Sequence, residues 1–588
     1  MTSNPFRSRA VQGCFCGFGA ALLLATVAAS QPLSAHQNAR VREAAIVPSR
    51  VIVVFTSNTL PTDAAARVQK AGGRLIRTLG PVGIAIVVPV SVDGSTLIRK
   101  LRRDPAIFNA EYDRVVNLIA PAQVAADHQT DPTPTTHLAH PLPTFSTSLP
   151  ADFFYTSSPQ QWAVKRVGAA GGGVPTLLGD PTSGAWDVTF GAGSKIAILD
   201  TGVNPVHPDV KDNLSFNQAV TFYIPDVFGT PNCEVPDASN LPFDLPADQN
   251  GHGTWTSSLA AGEIGGGLMI GVAPQAKILN IKVLRSIAAT ADDLKAIGVP
   301  DTPFNRCLFR GGQGLFSWVL EGIVLAVQQG ADIISMSLGG FVPRNFPGGA
   351  GAAIWSAFNR VGNFATRHGA VVLAAAGNAA LDLNRIQAFV ELPAEASNII
   401  AVTATTNPAL LPPTPPARQP CSAGTDCLAF YSDFGSKLHG LAAPGGDLPS
   451  GGCAFGGSPC NPTGFVRGAC SAGVPGTTDP DPATFPMSGP PPTGTSFGCF
   501  QLLALVPGSI PPAFSNHIWY VQAIGTSAAT PIAAGAAALV KSANPSLSPA
   551  QIRTVLQQRA EDIGKVGYDK LFNFGLVDAA AAVHAASQ

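Results

Sequence analysis

The sequence predicts an α/β fold: a mainly parallel sheet with helices on both faces, preceded by a small α+β domain. From about residue 160 onward, strands rich in Val, Ile, Leu and Ala alternate with amphipathic helices, as is typical of a parallel sheet buried on both sides. Before that, residues 49–119 follow the order βαββαβ, which makes a complete small domain. A Pro- and Thr-rich stretch without Lys or Arg separates the two parts.

Length and charge narrow the class of protein. With 588 residues the chain is too long for one ordinary domain, and two or three are expected. Charged residues make up only 12% of the chain and the formal net charge is −1. Nothing in this balance favours nucleic acid or an anionic membrane surface as a partner.

Residues 1–30 have the layout of a secretory signal peptide. Arg7 and Arg9 precede the apolar run CFCGFGAALLLATVAA, and small residues at 28–30 offer a cleavage site. The run is short for a membrane span. An uncleaved anchor and a lipidated Cys14 are the alternatives. We therefore expect a secreted protein with no membrane contact after signal cleavage.

The cysteines predict disulfides. Ten cysteines, less Cys14 and Cys16 in the signal segment, leave eight, an even number that allows 105 pairings in an exported protein. They lack the paired CxxC spacing of a zinc site. The first pairing we expect is Cys421 with Cys427, which closes a short loop.

The N-terminal unit, 49–119, has the pattern of the split ferredoxin-like motif. Each helix is marked by a breaker, with a Pro start and a Gly stop on the first and Asp104-Pro105 ending the second. The predicted strands are 50–55, 74–80, 83–90 and 107–119, and the predicted helices lie within 60–73 and 93–105.

Residues 120–158 are predicted to be a linker open to proteolysis, and 159–588 a larger domain. Its predicted strands are 194–200, 276–284, 331–338, 370–377 and 398–405. Its predicted helices are 313–329, 352–368, 527–541 and 548–559. Insertions are expected near 212–247, 285–312 and 446–516, the last rich in Gly, Pro and Cys.

Three polar residues stand where chemistry is expected in such a sheet. Asp200 closes a strand, His252 lies between two glycines at the start of a predicted helix, and Ser527 begins another helix. Reacting groups of an open parallel sheet lie at the carboxyl ends of its strands. A carboxylate, an imidazole and a hydroxyl are what nucleophilic acyl transfer requires. Taken singly, they also fit a turn residue, a helix-start histidine and a helix N-cap.

Five segments carry these residues and resemble, in order, the landmark segments of the subtilisin-like serine proteases (subtilases). They are AILDTGVNPVHPDV, NGHGTWTSSLAAG, SMSLGG, AAAGN and GTSAATPIAAG. The chain order Asp, His, Ser is that of subtilisin. The resemblance covers roughly residues 160–588, and the unit at 49–119 resembles the family's propeptide, an intramolecular chaperone and inhibitor.

The resemblance implies a role for each matching residue. Asp200, His252 and Ser527 become the catalytic triad, and Asn378 the side chain of the oxyanion hole. Without the triad, Asn378 would instead read as a turn residue. The segment Ser337-Leu338-Gly339 resembles the edge strand that pairs with an extended substrate.

Substrate preference depends on Glu391, which stands where the family commonly has a small residue at the base of the P1 pocket. A carboxylate there favours Lys or Arg at P1; the alternative is that Glu391 points to solvent. Yet no Lys or Arg lies between Arg114 and Lys165, where self-cleavage is expected. Autocatalytic maturation would then use a residue such as Leu118, Phe154 or Tyr155, so a broad preference is expected.

Some positions depart from the family pattern. Ala528, Ile532 and Trp255 replace its common Met, His and second His, which affects detail more than activity. Gly265 stands where a strong calcium site often has Asn, so only Asp209 remains as a weak calcium ligand. No cofactor is required, with calcium open as a structural ion.

The sequence therefore predicts a secreted, monomeric serine endopeptidase made as a zymogen and activated by propeptide removal. Its partners would be protein or peptide substrates and its own propeptide. The alternatives are a catalytically silent scaffold of the same fold and a serine esterase. The complete triad speaks against the first, and the absence of GxSxG around Ser527 against the second.

Overall fold

Strands and helices alternate along most of the chain, as the sequence predicts. The computed structural model describes residues 41–119, 123–127, 161–170, 184–267, 269–296, 300–308, 311–344, 351–408, 425–446, 466–470 and 519–588. The predicted signal peptide, most of the linker and most of the 446–516 insertion lie outside these residues.

The elements are numbered in chain order. The strands are β1 (Ile46–Phe55), β2 (Gly73–Leu79), β3 (Ile84–Pro89), β4 (Ile107–Leu118), β5 (Gln123–Asp127), β6 (Lys195–Asp200), β7 (Leu214–Ala219), β8 (Lys277–Lys282), β9 (Leu284–Ile287), β10 (Gly311–Leu315), β11 (Ile333–Met336), β12 (Leu338–Pro343), β13 (Val371–Ala375), β14 (Phe389–Leu392), β15 (Ile399–Thr405), β16 (Leu441–Pro444), β17 (Val466–Cys470) and β18 (Trp519–Ile524). The helices are α1 (Ala64–Ala71), α2 (Gly94–Leu101), α3 (Trp162–Arg166), α4 (Pro225–Phe228), α5 (His252–Ala261), α6 (Ala291–Ala296), α7 (Pro303–Leu308), α8 (Phe316–Gln328), α9 (Ala352–Arg367), α10 (Thr526–Ala543), α11 (Pro549–Gln558) and α12 (Ala579–Ala586). None of the helices in the described ranges has the length and apolarity to cross a bilayer.

The parallel sheet is the frame of the molecule. Within the described residues it has seven strands in the order β16-β15-β13-β11-β6-β8-β7, every pair parallel. Strand β6 shows how both faces are buried: Ile196 and Ile198 pack on one side, Ala197 and Leu199 on the other. Helices α5 and α10 cover the first face, and α8 and α9 the second. The predicted α/β class is confirmed.

The N-terminal unit has the predicted βαββαβ order. Its strands are antiparallel in the order β4-β1-β3-β2, and α1 and α2 pack on one face through residues such as Val68 and Leu97. Local signals fix both helices. Asp93 caps α2 by accepting the N–H of Thr96, and Gly72, at φ +101°, ends α1 in a left-handed conformation.

A second sheet, in which every strand pair is antiparallel, joins the N-terminal unit to the rest of the chain. Its order is β14-β12-β4-β1-β3-β2, and β10 pairs with both β4 and β9. Because β4 pairs with β10 and β12, residues Glu43–Gln588 form one compact unit across the predicted linker. The sequence did not indicate these pairings, since the partner strands are short and rich in glycine.

The predicted linker is not wholly without regular structure. Residues Gln123–Asp127 form β5, which pairs antiparallel with β18, and β18 pairs with β17 from the 446–516 insertion. The linker prediction is therefore wrong for these five residues. The local composition does not favour a strand here; hydrogen bonds to the backbone of the distant strand β18 stabilise it.

The first two predicted insertions are held together covalently and by buried ion pairs. Cys233 and Cys307 form a disulfide. Beside it, Lys282 pairs with Glu234 at 2.9 Å, both side chains fully buried. The partner of Cys427, which is also disulfide-bonded, is not among the described side chains, and Cys421 lies outside the described residues, so their pairing stays a prediction.

Candidate active site

The three predicted catalytic residues stand at the ends of core elements. Asp200 is the last residue of β6, at the carboxyl edge of the parallel sheet. His252 is the first residue of α5, and Ser527 lies in the first turn of α10. Helices α5 and α10 pack against each other. Among the described residues, His252 Nε2 has no hydrogen-bond partner.

Asp200 and His252 are in direct contact. The Nδ1 atom of His252 lies 2.9 and 3.0 Å from the two carboxylate oxygens of Asp200. Thr256 Oγ1 also donates to Asp200 Oδ2 at 3.2 Å, and the Thr201 N–H donates to Oδ1 at 2.7 Å. With its proton on Nδ1, the imidazole keeps Nε2 as the acceptor that a general base needs.

The turn before His252 is organised by a buried carboxylate. Asp248 accepts N–H groups of Asn250 and Gly251 on Oδ1, and of Thr254 on Oδ2, at 2.8–3.0 Å. Its Oδ1 also accepts the hydroxyl of Thr201, the residue after Asp200. One side chain thus fixes the β6 turn and the start of α5 relative to each other.

Glycines at two contacts let these elements approach closely. A Cβ added to Gly253 would collide with the carbonyl oxygen of Gly202 in the turn after Asp200. A Cβ on Gly535 of α10 would lie 2.6 Å from Val272 Cβ and 2.9 Å from the Ala260 oxygen of α5. The glycine at position 535 therefore permits the close approach of α10 to α5.

Ser527 is not a helix cap, so that alternative is wrong. The N-cap of α10 is Gly525, and no side chain caps the helix. The Ser527 hydroxyl instead donates to the carbonyl oxygen of Ile119, the residue after β4. Its own backbone oxygen accepts the Ser337 hydroxyl at 3.0 Å. The nucleophile candidate thus touches a backbone carbonyl of the N-terminal segment.

Asn378 is held beside the start of α10. Its Oδ1 accepts both the N–H and the hydroxyl of Thr526, at 2.9 and 2.8 Å. With the oxygen used in this way, Nδ2 is the atom able to donate to a developing oxyanion, next to the Ser527 N–H. Thr526 is a supporting residue that the sequence interpretation missed.

The segment Ser337-Leu338-Gly339 pairs with an extended chain, the pattern predicted for it. Leu338 lies opposite Leu118 and Gly339 opposite Asn117, in antiparallel register. The Ile119 N–H donates to the Ser337 oxygen at 3.2 Å.

The other side of this groove is β10, which sequence reasoning assigned in part to a helix. Gly314 and Leu315 lie opposite Val116 and Val115 of β4. Gly312, whose added Cβ would lie 3.1 Å from the Leu118 side chain, shows why this edge is glycine-rich. The glycine cluster GGQG at 311–314 was the feature of the sequence that could have indicated an edge strand in place of a helix start.

Glu391 does not point to solvent, so that alternative is wrong. It lies in β14, is 3% exposed, and faces Phe341 of β12 in the strand register. Burial, together with the nearby charges of Asp433 and Glu395, raises the pKa of Glu391 well above its usual value.

Asp209, the weak candidate for a calcium ligand, has nitrogen groups beside its carboxylate. Its carboxylate stands 3.6 Å from His207 Nδ1, and Oδ1 accepts the Met269 N–H. An imidazole and an N–H beside the carboxylate are not the all-oxygen set that calcium prefers. Among the described residues no group of three or more His, Cys, Asp or Glu could hold a metal.

Comparison with known proteins gives relatives of one kind. The chain is 33% identical to thermitase of Thermoactinomyces vulgaris over 262 residues, 44% of this chain and 66% of thermitase. It is 26% identical to subtilisin BL of Lederbergia lenta over 392 residues, 67% of this chain and 91% of that protein. The chain spans less than two thirds of the first curated relatives it matches, 66% of thermitase and 37% of an intracellular serine protease of Paenibacillus polymyxa.

Solved structures share the fold. The epidermin leader peptide processing serine protease of Staphylococcus aureus aligns with a TM-score of 0.57 at 17% identity, over 92% of this chain and 99% of that one. Fervidolysin from Fervidobacterium pennivorans aligns with a TM-score of 0.52 at 19% identity, over 92% and 62%. A model of the subtilase family (peptidase S8) matches residues 191–575, more than half of the chain. The chain therefore belongs to the subtilase family.

Proposed function

We propose that this protein is a serine endopeptidase that hydrolyses peptide bonds through an acyl-enzyme. The observation that carries the proposal is the position of Ile119. Its chain lies in a groove between β10 and β12, and its carbonyl oxygen accepts the Ser527 hydroxyl. A peptide carbonyl in an extended chain, held against a serine of a subtilase-family chain that also carries an Asp–His pair, is the arrangement expected of a protease with its substrate.

The mechanism follows from the groups around that carbonyl. Ser527 Oγ attacks the carbonyl carbon while His252 Nε2 takes the hydroxyl proton. Asp200 stabilises the imidazolium, and Asn378 Nδ2 with the Ser527 N–H donates to the oxyanion. His252 then gives the proton to the leaving amine. Water repeats both steps on the ester and releases the acid, so no cofactor takes part.

We further propose that the N-terminal unit is an inhibitory propeptide. Besides filling the groove, it places two carboxylates on helix N-termini of the larger domain. Glu111 accepts the N–H groups of Gly351 and Ile354 at 2.5 and 2.8 Å, at the start of α9. Asp113 accepts the Ser317 N–H at 3.2 Å, at the start of α8. Both carboxyl groups thereby accept N–H groups that have no partner within their helix.

Self-cleavage would occur between Ile119 and Ala120. This is one residue beyond the sequence-based candidate Leu118, while Phe154 and Tyr155 lie outside the described residues. Because Ile119 is aliphatic, maturation needs no basic residue. Secretion through residues 1–30, a monomeric state and broad use of protein or peptide substrates complete the proposal, and a structural calcium ion elsewhere on the chain is compatible with it.

The test is mass analysis of the secreted protein with two serine variants of α10. Ser542, near the far end of the helix and 2.7 Å from Thr189 Oγ1, provides the control. We expect wild type and Ser542→Ala to begin first at Ala120, and Ser527→Ala to keep its N-terminal unit. Processing of Ser527→Ala like wild type would contradict self-cleavage, and a first cut elsewhere would contradict the assignment of Ile119.

A further inference from the structure

Glu391 is a buried carboxyl group for which the mechanism has no use. Its Oε2 atom is buried and has no hydrogen-bond partner among the described residues. Burying such a group without a partner costs free energy, so its presence calls for a physical reason. The reason lies in what the side chain faces.

The Glu391 carboxyl and the side chain of Ile119 flank the same point in the groove. A Cβ built on Gly339 would collide with Glu391 Oε1 and would lie 3.2 Å from Ile119 Cδ1. Gly339 leaves that space open, since it has no side chain. Because the Ile119 carbonyl contacts Ser527, its side chain occupies the P1 position, and Glu391 lines the P1 site.

Among the residues that the structure describes, Glu391 has no counter-ion. The two charges that act on it, Asp433 and Glu395, are both negative. The nearby cations are engaged by Glu395, which pairs with Arg344 at 2.8 Å and Lys437 at 3.5 Å. Asp433 accepts backbone N–H groups of the loop after Asn378. A positive side chain in the P1 site would therefore be the partner that Glu391 lacks.

We propose that Glu391 gives the P1 site two modes, accepting aliphatic side chains when its carboxyl is protonated and Lys or Arg when it is ionised. This rests on the proposed protease function and specifies its substrate class. A neutral carboxyl next to Ile119 leaves no buried charge. A bound Lys or Arg supplies the opposite charge that makes ionisation favourable.

The two modes differ in their dependence on pH. A Lys side chain entering the site when Glu391 is protonated expels a proton, so kcat/KM for Lys substrates rises as pH rises toward the pKa of Glu391. An aliphatic side chain expels none. Changes in the catalytic residues affect both substrates alike, so the ratio of the two kcat/KM values isolates the P1 site.

The experiment uses mature enzyme and two peptides that differ only in having Lys or Ile at P1, between pH 5.5 and 9.5. We expect the Lys/Ile ratio of kcat/KM to rise by about tenfold or more in wild type. In Glu391→Gln the ratio should vary less than about twofold, because an amide does not ionise. The control is Asp332→Asn. Burial also raises the pKa of Asp332, which precedes β11 at the opposite edge of the sheet, and its variant should behave as wild type.

The results distinguish a failure of the role proposed for Glu391 from a failure of the proposed protease function. A ratio independent of pH in wild type, or a rise that persists in Glu391→Gln, would overturn the role of Glu391 while leaving the protease assignment intact. The wild-type profile decides even where the Gln variant fails to fold. No hydrolysis of either peptide by processed wild type would overturn the proposed function, and this inference with it.

Discussion

The two sheets of this protein differ in where their strands come from. All strands of the parallel sheet lie between Lys195 and Pro444, and that sheet presents Asp200 at its carboxyl edge. The antiparallel sheet takes β1–β4 from the N-terminal unit and its other strands from residues 284–392. The parallel sheet is formed by one domain alone. The other sheet is completed by β4 of the N-terminal unit, and Ile119, the residue after β4, contacts Ser527.

The parallel sheet carries the candidate reacting groups, whereas the other sheet holds the bound chain. The parallel sheet packs helices on both faces, so its edge holds the reacting groups rigidly. The antiparallel sheet holds a chain by its backbone, because the pairing of β4 with β10 and β12 uses main-chain hydrogen bonds. Cleavage after Ile119 would leave the first sheet intact and free an edge of the second for substrate. Substitutions on the two sheets should therefore have different signatures.

The largest effect is expected on the parallel-sheet side, from His252→Ala. Loss of the general base should lower kcat/KM by about 10³-fold or more, because the nucleophile can no longer be deprotonated. Steady-state kinetics on a peptide substrate measure this, with thermal unfolding to check that the fold is kept. A variant that keeps more than a tenth of wild-type activity would break the assignment of chemistry to this edge.

Asn378→Ala should have the next largest effect. Removing one oxyanion donor lowers kcat by about 10²–10³-fold with little change in KM, because the interaction forms mainly in the transition state. Thr526→Val is the matched comparison, since it removes only the hydroxyl that donates to Asn378 Oδ1. We expect it to lose much less activity. A rise in KM with kcat little changed in Asn378→Ala would instead point to ground-state binding.

The smallest effect is expected on the side of the antiparallel sheet, from Glu111. Burial raises its pKa from 4.5 to about 7, opposed by the N–H groups of Gly351 and Ile354. A raised pKa stabilises the folded chain below the unfolded-state value, and this contribution is lost as pH rises through about 7. Between pH 4.5 and 8 the loss should be on the order of 3 kcal/mol, and it should be absent in Glu111→Gln.

Unfolding of the uncleaved chain measures this. On the Ser527→Ala background, the difference in thermal midpoint between Glu111 and Glu111→Gln should change in favour of Gln as pH increases. If the thermal midpoints of the two proteins change with pH in the same way, the contact between Glu111 and α9 does not couple proton binding to stability.

The sequence by itself determined the alternation of strands and helices, and it identified the three candidate catalytic residues Asp200, His252 and Ser527. Strand β6 and helix α10 were predicted within two residues of their observed bounds, because long apolar periodicity and glycine breakers are local signals. Asp200 and His252 could both be identified from the sequence, because each lies in a short local motif. The structure places the two side chains in contact.

Only the tertiary structure decided the recognition side of the site. The pairing of β4 with β10 joins residues almost 200 positions apart, and the contact of Ile119 with Ser527 spans 408. The buried position of Glu391 depends on β12, Asp433 and Ile119 lying around it. Short, glycine-rich edge strands carry no periodicity of their own, so long-range backbone pairing selects their conformation and their partners.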